Sequence, residues 1–307
     1  MTSAQIKEYA HNLGFDACGI CKAKAIDADN LKGYKNWIDS SFHADMDYMA
    51  RNGDKRYNPA LLVEGACSIV CVALNYYPGA KQPEEYPQFA YYAYGKDYHD
   101  VVKSKLQQLF SIIKKTEPSL EGRCFVDTAP VLERYWAVKA GLGFIGKNSA
   151  LIIPKKGSYF FLGELIIDLE LEYDSPLSLS CGSCIRCIDA CPTRAVTAPK
   201  VINAKRCISY QTIENKGEID EAIVPNLGDH VYGCDICQQV CPWNRYSQPH
   251  KTEEFNPSQA FMDLSFDRLD NLTEEEYLRI FKGSAVKRAK YSGLKRNLQA
   301  IRRSKKQ

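Results

Sequence analysis

The chain has 307 residues, room for about two domains at roughly 150 residues each, and its 45% hydrophobic and 25% charged residues exclude wholesale disorder. No apolar run reaches the roughly 18–20 residues that a membrane helix needs. The net charge of +3 conceals a split: from Tyr277 to Gln307 there are eleven Lys/Arg and no Asp or Glu, so residues 1–276 carry a net of −8. The basic tail reads either as a docking surface for a polyanion or as a solvated helix face.

The N-terminus reads as an amphipathic helix with Ile6, Tyr9, Ala10 and Leu13 on one face, and Thr2 with Gln5 can close a capping box. It has no apolar signal core, so a cytosolic protein is expected. Short apolar stretches predict strands over 15–21, 67–76, 123–127, 150–153 and 159–171. Helical patterns cover 30–39, 97–115 and 130–140. The expected fold class is α/β (α+β), a mixed sheet with helices against it. Asp174-Ser175-Pro176 marks a boundary, beyond which the chain is punctuated by Cys, Gly and Pro. A polar stretch over 247–258 reads as a linker, and helical patterns return over 273–281 and 285–303, interrupted near Ser292-Gly293. Three regions result: 1–174, 175–245 and 246–307.

Thirteen cysteines in a reducing compartment point to a metal or redox site rather than to disulfides. Eight of them lie between Cys181 and Cys241. The run Cys181, Cys184, Cys187, Cys191-Pro192 fits the bacterial ferredoxin spacing C-x2-C-x2-C-x3-C-P, in which the fourth cysteine ligates the other cluster. Its partner is Cys207 with Cys234, Cys237 and Cys241-Pro242. The crossover gives one [4Fe–4S] cluster on Cys181, Cys184, Cys187 and Cys241, and a second on Cys191, Cys207, Cys234 and Cys237. Zinc also takes four thiolates, but three cysteines at consecutive three-residue spacing wrap a cube corner better than a tetrahedral knuckle. The five remaining cysteines sit in apolar strand patterns and read as core residues. Two low-potential clusters deliver single electrons, and about 174 preceding residues place the acceptor within this chain.

Gly141-Leu-Gly143-Phe-Ile-Gly146-Lys147-Asn148 contains G-x-G-x-x-G, but it follows a helix and precedes a strand, the reverse of a dinucleotide loop. It is either a helix C-cap with a turn or a backbone that lies close against a flat ligand. Asp127 in Val126-Asp127-Thr128-Ala129-Pro130 stands between a strand and a helix. It is either an N-cap with a lowered pKa or a general acid whose burial keeps it protonated at neutral pH.

In combination, these stretches resemble the epoxyqueuosine reductases of tRNA modification, which are related to cobalamin-dependent reductive dehalogenases. The matching segments are Arg56-Tyr57-Asn58-Pro59, Asn75-Tyr76-Tyr77-Pro78, Tyr92 to His99, Val126 to Glu133, Gly141 to Asn148, Cys207 to Glu214 and both cysteine runs. The resemblance implies an N-terminal cobalamin-binding catalytic domain, a ferredoxin-like double [4Fe–4S] domain and a basic C-terminus that begins a set of helical repeats, shortened here. It implies reduction of epoxyqueuosine to queuosine at the tRNA wobble position, with cob(I)alamin re-reduced through the two clusters by a low-potential electron donor. Asp127 is then the proton donor, reversing the local preference for a cap. Residues implied to contact cobalamin are Arg56, Asp97, Asp127, Gly143, Gly146, Lys147, Ser149 and Ser209. The D-x-H-x-x-G cobalamin signature is missing, since Asp97-Tyr98-His99-Asp100-Val101-Val102 has Val102 in place of Gly.

The tail then gains a partner: Lys287, Arg288, Lys290, Lys295, Arg296, Arg302 and Arg303 are expected on the phosphates of the anticodon stem-loop. A monomer without membrane attachment is expected. Competing readings are a dehalogenase-like cobalamin enzyme acting on a small molecule, an iron–sulfur electron-transfer protein, and an iron–sulfur tRNA-binding protein without catalysis.

Overall fold

Four strands form the main sheet of the computed structural model, which describes residues 1–306. They are β1 (Ala17–Lys22), β2 (Ser68–Asn75), β3 (Gly122–Phe125) and β4 (Phe160–Ile167), arranged in space as β1-β2-β4-β3. β2 and β4 are central, in register from Ser68 opposite Ile167 to Asn75 opposite Phe160. Both are near-continuous apolar runs, as strands covered on both faces must be. The helix-and-sheet class holds, but the sheet is not mixed: every pairing within it is antiparallel. β2 is entered from the end that β1 left, so the helices between these two strands are an excursion rather than a crossover.

One face of the sheet is covered by α1 (Ser3–Asn12) and α2 (Tyr98–Thr116), which bury Ile6, Ala10, Val102, Leu106, Leu109 and Ile113 against Ile20, Val70, Val72, Leu74 and Leu165. The capping box of α1 forms between Thr2 and Gln5. The opposite face is covered by α3 (Glu133–Lys139), whose Trp136 and Ala137 pack on Cys21, Ile69, Cys71, Ala73 and Ile166. Strand alternation puts Glu164 on this second face, between Leu162 and Ile166.

The third core ignores the expected regional boundaries. Phe89, Tyr91 and Tyr94 pack with Ile208 and Ile213 of α4 (Ile208–Ile213), with Val231 and Tyr232, and with Leu294, Leu298 and Ile301 of α5 (Lys290–Ser304). A short parallel pairing of Gln88–Phe89 with His230–Tyr232 ties the two ends of this core together. Inside the polar linker, Phe255 is buried against the α1/α2 face of the main sheet. The C-terminal break falls at Lys290, whose φ is +64°, and Gly293 lies inside α5. Packing sets that position: Val286 and Leu294 both enter the third core, so the turn between them absorbs the change of direction.

The basic tail is less free than its charge implies. Arg288 makes a bidentate pair with Glu214, and Lys295 donates to the carbonyls of Leu269 and Asp270. Half-buried Arg296 donates to the carbonyls of Gln211, Asn215 and Gly217. Arg302 and Arg303 pair with Asp270 and Glu221. Lys287 and Lys290 remain exposed. No helix among the described residues is long and apolar enough to cross a membrane.

Gly19 of β1 lies against the α3 terminus: a Cβ there would stand 2.0 Å from the Ala140 carbonyl oxygen and 2.7 Å from Leu142. Gly19→Ala should therefore destabilise the protein by about 1–3 kcal/mol. Gly33, exposed in the helix Ala28–Asp39 with nothing within 4 Å of its Cβ position, should accept Ala with a gain of about 0.5–1 kcal/mol. Denaturant unfolding of the two variants would reveal the opposite signs.

Candidate active site

Asp127 is not a helix cap. It lies beyond the end of β3 with φ +53°, and the N-cap of α3 is Leu132, which makes no side-chain bond. The Asp127 side chain, 55% exposed, points its carboxylate at α2. Its Oδ2 accepts from the Tyr98 hydroxyl at 2.5 Å and lies 3.4 Å from His99 Nε2. His99 Nδ1 is 2.6 Å from Asp97 Oδ1, and Asp97 also caps α2 by accepting the His99 backbone N–H. Tyr98 is fixed by stacking between His99 and Phe161, with centroids 4.1 and 4.3 Å away. Behind the carboxylate, the backbone N–H of Asp127 donates to Glu133 at the start of α3. That bond holds the left-handed turn in place.

The charges settle in an order opposite to the one expected for a buried, protonated Asp127. Burial pushes Asp127 upward, but the hydrogen bonds from His99 and Tyr98 outweigh it and hold the carboxyl below its usual value. Burial works against the His99 cation, yet the bonds to Asp127 and Asp97 raise it to about 9. Burial, followed by the negative charge of Asp127, pushes Glu133 up to about 8. Glu164 is fully buried in the central strand with neither carboxyl oxygen bonded, and burial holds it well above the usual range. At neutral pH two carboxylates, Asp97 and Asp127, therefore flank a protonated His99, and a protonated Glu133 stands behind Asp127.

Across the cleft stands Tyr48, pushed up to about 12 by burial and by the charges of Glu214 and Asp127. Its carbonyl accepts from Arg56 Nη2 at 2.9 Å, while the buried Arg56 Nε has no partner. Tyr210 of α4 donates to Asp45 at 2.5 Å, so residues 45–48 bridge the sheet region and α4. Cys207 immediately precedes α4.

The cysteines gather as two quartets. Cys187 is pushed up by burial and then by Cys181, Cys241 and Cys184, and Cys241 in turn feels Cys181 and Cys184. Cys207 feels Cys191, and Cys234 feels Cys207 and Cys237. Cys237, raised to about 12 mainly by burial, feels both Cys207 and Cys187, which makes the quartets neighbours. Among the described residues no three such side chains converge as closely as a single metal ion requires.

Residues 180–244 match the family model for a 4Fe-4S double cluster binding domain, and residues 56–128 match that of the epoxyqueuosine reductase QueG. The chain is 45% identical to the epoxyqueuosine reductase of Cellulophaga algicola, over 97% of both chains. It is 39% identical to that of Escherichia coli, over 96% of this chain and 79% of the relative. A crystal structure of epoxyqueuosine reductase with an epoxyqueuosine-modified tRNA-Tyr stem loop superposes with TM-score 0.89 at 32% identity, covering 97% of this chain and 80% of that one. The Bacillus subtilis enzyme superposes with TM-score 0.88 at 29% identity, covering 97% of this chain and 80% of that one; its structure has a catalytic aspartate loop swung out of the active site. The chain belongs to the epoxyqueuosine reductase family.

The chain is thus an oxidoreductase, and the residues expected at cobalamin are spread over several elements. Asp97 reaches Asp127 through His99, and Arg56 donates to the Tyr48 carbonyl. Gly143 and Gly146 belong to a short hairpin: a Cβ on Gly143 would lie 2.1 Å from the Ile152 carbonyl oxygen, and one on Gly146 2.7 Å from Asn148. Lys147 donates to the Gly182 carbonyl at 2.9 Å, turned toward the first quartet. Ser149 adopts φ +62° with its carbonyl on Arg134, and Ser209 lies in the first turn of α4. Sequence reasoning missed Tyr48, Tyr98, His99, Glu133 and Glu164 as site residues. A readable signal existed for Glu164, the lone charge in the apolar run FFLGELII.

The raised His99 pKa has a stability consequence. Its contribution should be fully present below pH about 6.5 and disappear as pH rises through about 9. In an NMR titration, the His99 imidazole should titrate near 9 and fall toward 6.5 in Asp97→Asn. An unshifted His99 would dismiss the Asp97–His99–Asp127 chain of bonds.

Proposed function

We propose that this chain reduces epoxyqueuosine in the tRNA wobble position to queuosine, with Asp127 as the group that passes protons to the departing oxygen. The observation that carries the reading is the contact of Asp127 with Tyr98, His99 and Glu133, which holds the Asp127 carboxyl low while His99 and Glu133 are raised and keep their protons. The reaction breaks both C–O bonds of the epoxide, forms a C=C bond and releases water, so it consumes two electrons and two protons. The two protonated neighbours match that proton requirement. Asp127 is the exposed member of the trio and the one placed to meet substrate, with His99 replenishing it across 3.4 Å.

The two quartets are assigned to [4Fe–4S] clusters: Cys181, Cys184, Cys187 and Cys241 to one, Cys191, Cys207, Cys234 and Cys237 to the other. The family-model match over 180–244 and the spacing of the thiols support this. Cobalamin is assigned to this cleft, and the buried Arg56 Nε, a donor without a partner, supports that reading. When bound, it supplies the strong reductant that an inert C–O bond requires. For tRNA, the exposed Lys287 and Lys290 are the tail residues free to meet phosphates, and the stem-loop complex of the relative supports that partner. Arg296 and Arg302 are assigned to holding the fold instead.

Anaerobically reconstituted protein given strong reductant, cobalamin and epoxyqueuosine-bearing tRNA should yield queuosine, read by nucleoside mass spectrometry, and none when cobalamin is omitted. Asp127→Asn should lower turnover by about 10²-fold or more while tRNA affinity and iron content persist. Turnover of the unmodified enzyme should decline as pH rises through about 8 to 9, where Glu133 and His99 lose their protons. Each of Cys207→Ser and Cys241→Ser should lose about four of eight irons, whereas Cys18→Ser should lose none. Unchanged turnover in Asp127→Asn would refute its role.

A further inference from the structure

The two quartets are not equivalent in their surroundings. The second lies on the cleft side: Cys207 leads into α4, and Cys237 and Asp235 influence Tyr76 at the end of β2. Around the first the surface changes character. Seven large hydrophobic residues are exposed among the described residues, and four of them are close in sequence to this quartet's cysteines: Leu177 at 39%, Leu179 at 45%, Ile185 at 48% and Tyr246 at 38%. Beside the quartet runs a groove lined by Arg186, Asp189, Cys241 and Arg245, so a ligand thiol lies in its wall. Arg245 stacks on Tyr246 at 4.6 Å, which extends the groove's basic edge onto the apolar rim.

Charge here is also set apart from the rest of the body. Within the groove two arginines, Arg186 and Arg245, outnumber one carboxylate, Asp189, although residues 1–276 as a whole carry a net of −8. A basic face with an apolar centre beside a redox centre is complementary to an acidic protein, and the leucines decide between protein and nucleic acid. Phosphates gain nothing from Leu177, Leu179 or Ile185, whereas a protein interface buries such side chains at its core and keeps charges at its rim.

We propose that this face is the docking site of a small acidic one-electron carrier protein of low potential, the source of the electrons. Each encounter oxidises the carrier by one electron and reduces the first cluster by one. Two encounters supply the two electrons of one epoxide reduction, and both protons enter at the other end, through Asp127. This inference rests on the assignment of the quartets to clusters, which iron content and bleaching by dithionite test independently of docking.

The test uses the reconstituted holoprotein and a reduced plant-type [2Fe–2S] ferredoxin as acidic probe. Stopped-flow absorbance follows cluster reduction, and calorimetry follows complex formation. In Arg186→Glu/Arg245→Glu, and separately in Leu177→Asp/Leu179→Asp, ferredoxin-driven reduction should slow at least about tenfold and binding should weaken in parallel. The rate in the unmodified protein should fall with salt, and the charge variant should lose that dependence. Reduction by dithionite, iron content and stem-loop affinity should stay unchanged in both variants. Ferredoxin-driven rates equal to those of the unmodified protein would overturn the proposal. So would a loss of stem-loop affinity with ferredoxin docking intact, since the face would then belong to RNA.

Discussion

One hydrogen-bonded carboxylate, Asp127, sets the electrostatics of its cleft, raising both Glu133 and His99, while a second carboxyl group buried in the sheet beside it adds no charge. Glu164 has no hydrogen-bond partner for either oxygen and no exposure to water, so an ionised Glu164 would cost several kcal/mol. It stays neutral, and its position on the α3 face sets it against Glu133, whose own ionisation is opposed by burial and by Asp127. Three carboxyl groups thus share one negative charge. The charge rests on Asp127 because only that oxygen meets a tyrosine hydroxyl and a histidine cation. The same economy fixes the backbone: Glu133, kept as a neutral acceptor, holds the N–H of a residue that would otherwise resist a left-handed φ.

The cysteine region is held differently. Between Cys181 and Cys207 few side chains join any core, and the segment's regular structure is one turn of helix, a two-strand hairpin and a 3-10 turn over Ala204–Arg206. Stability comes from its borders. Asp174 accepts from the Ile20 N–H and pairs with Lys7, anchoring the entry to the main sheet. At the far side Asn297 of α5, fully buried, donates to the carbonyls of Thr212 and Val231. The tail that composition marks as a basic surface is therefore largely a clamp, with Arg288, Arg296 and Arg302 closing it.

Local patterns were legible where local forces decide. The apolar runs of β2 and β4, the face of α2 and the capping box of α1 lie within a few residues of their predicted spans, because burial periodicity and capping are properties of adjacent residues. Cysteine spacing was legible for the same reason. Asp127 was not: a carboxylate between strand and helix reads as a cap, and only the approach of α2 from thirty residues away shows which donors it meets. Its pKa direction failed on the same ground, since burial was foreseeable and the His99 contact was not. The break at Lys290 was hidden too, because packing of Val286 and Leu294 in a shared core outweighed the local signal of Ser292-Gly293.

The parallel pairing of Gln88–Phe89 with His230–Tyr232 joins residues about 140 positions apart. Together with the Asp174 anchor, it closes the cysteine segment into a loop whose two ends are fixed by the rest of the fold. Closing that loop carries its entropic cost once, during folding, and such distant contacts form slowly. The two borders of the cysteine segment are thus set by contacts of the protein itself, which involve none of the eight cysteines.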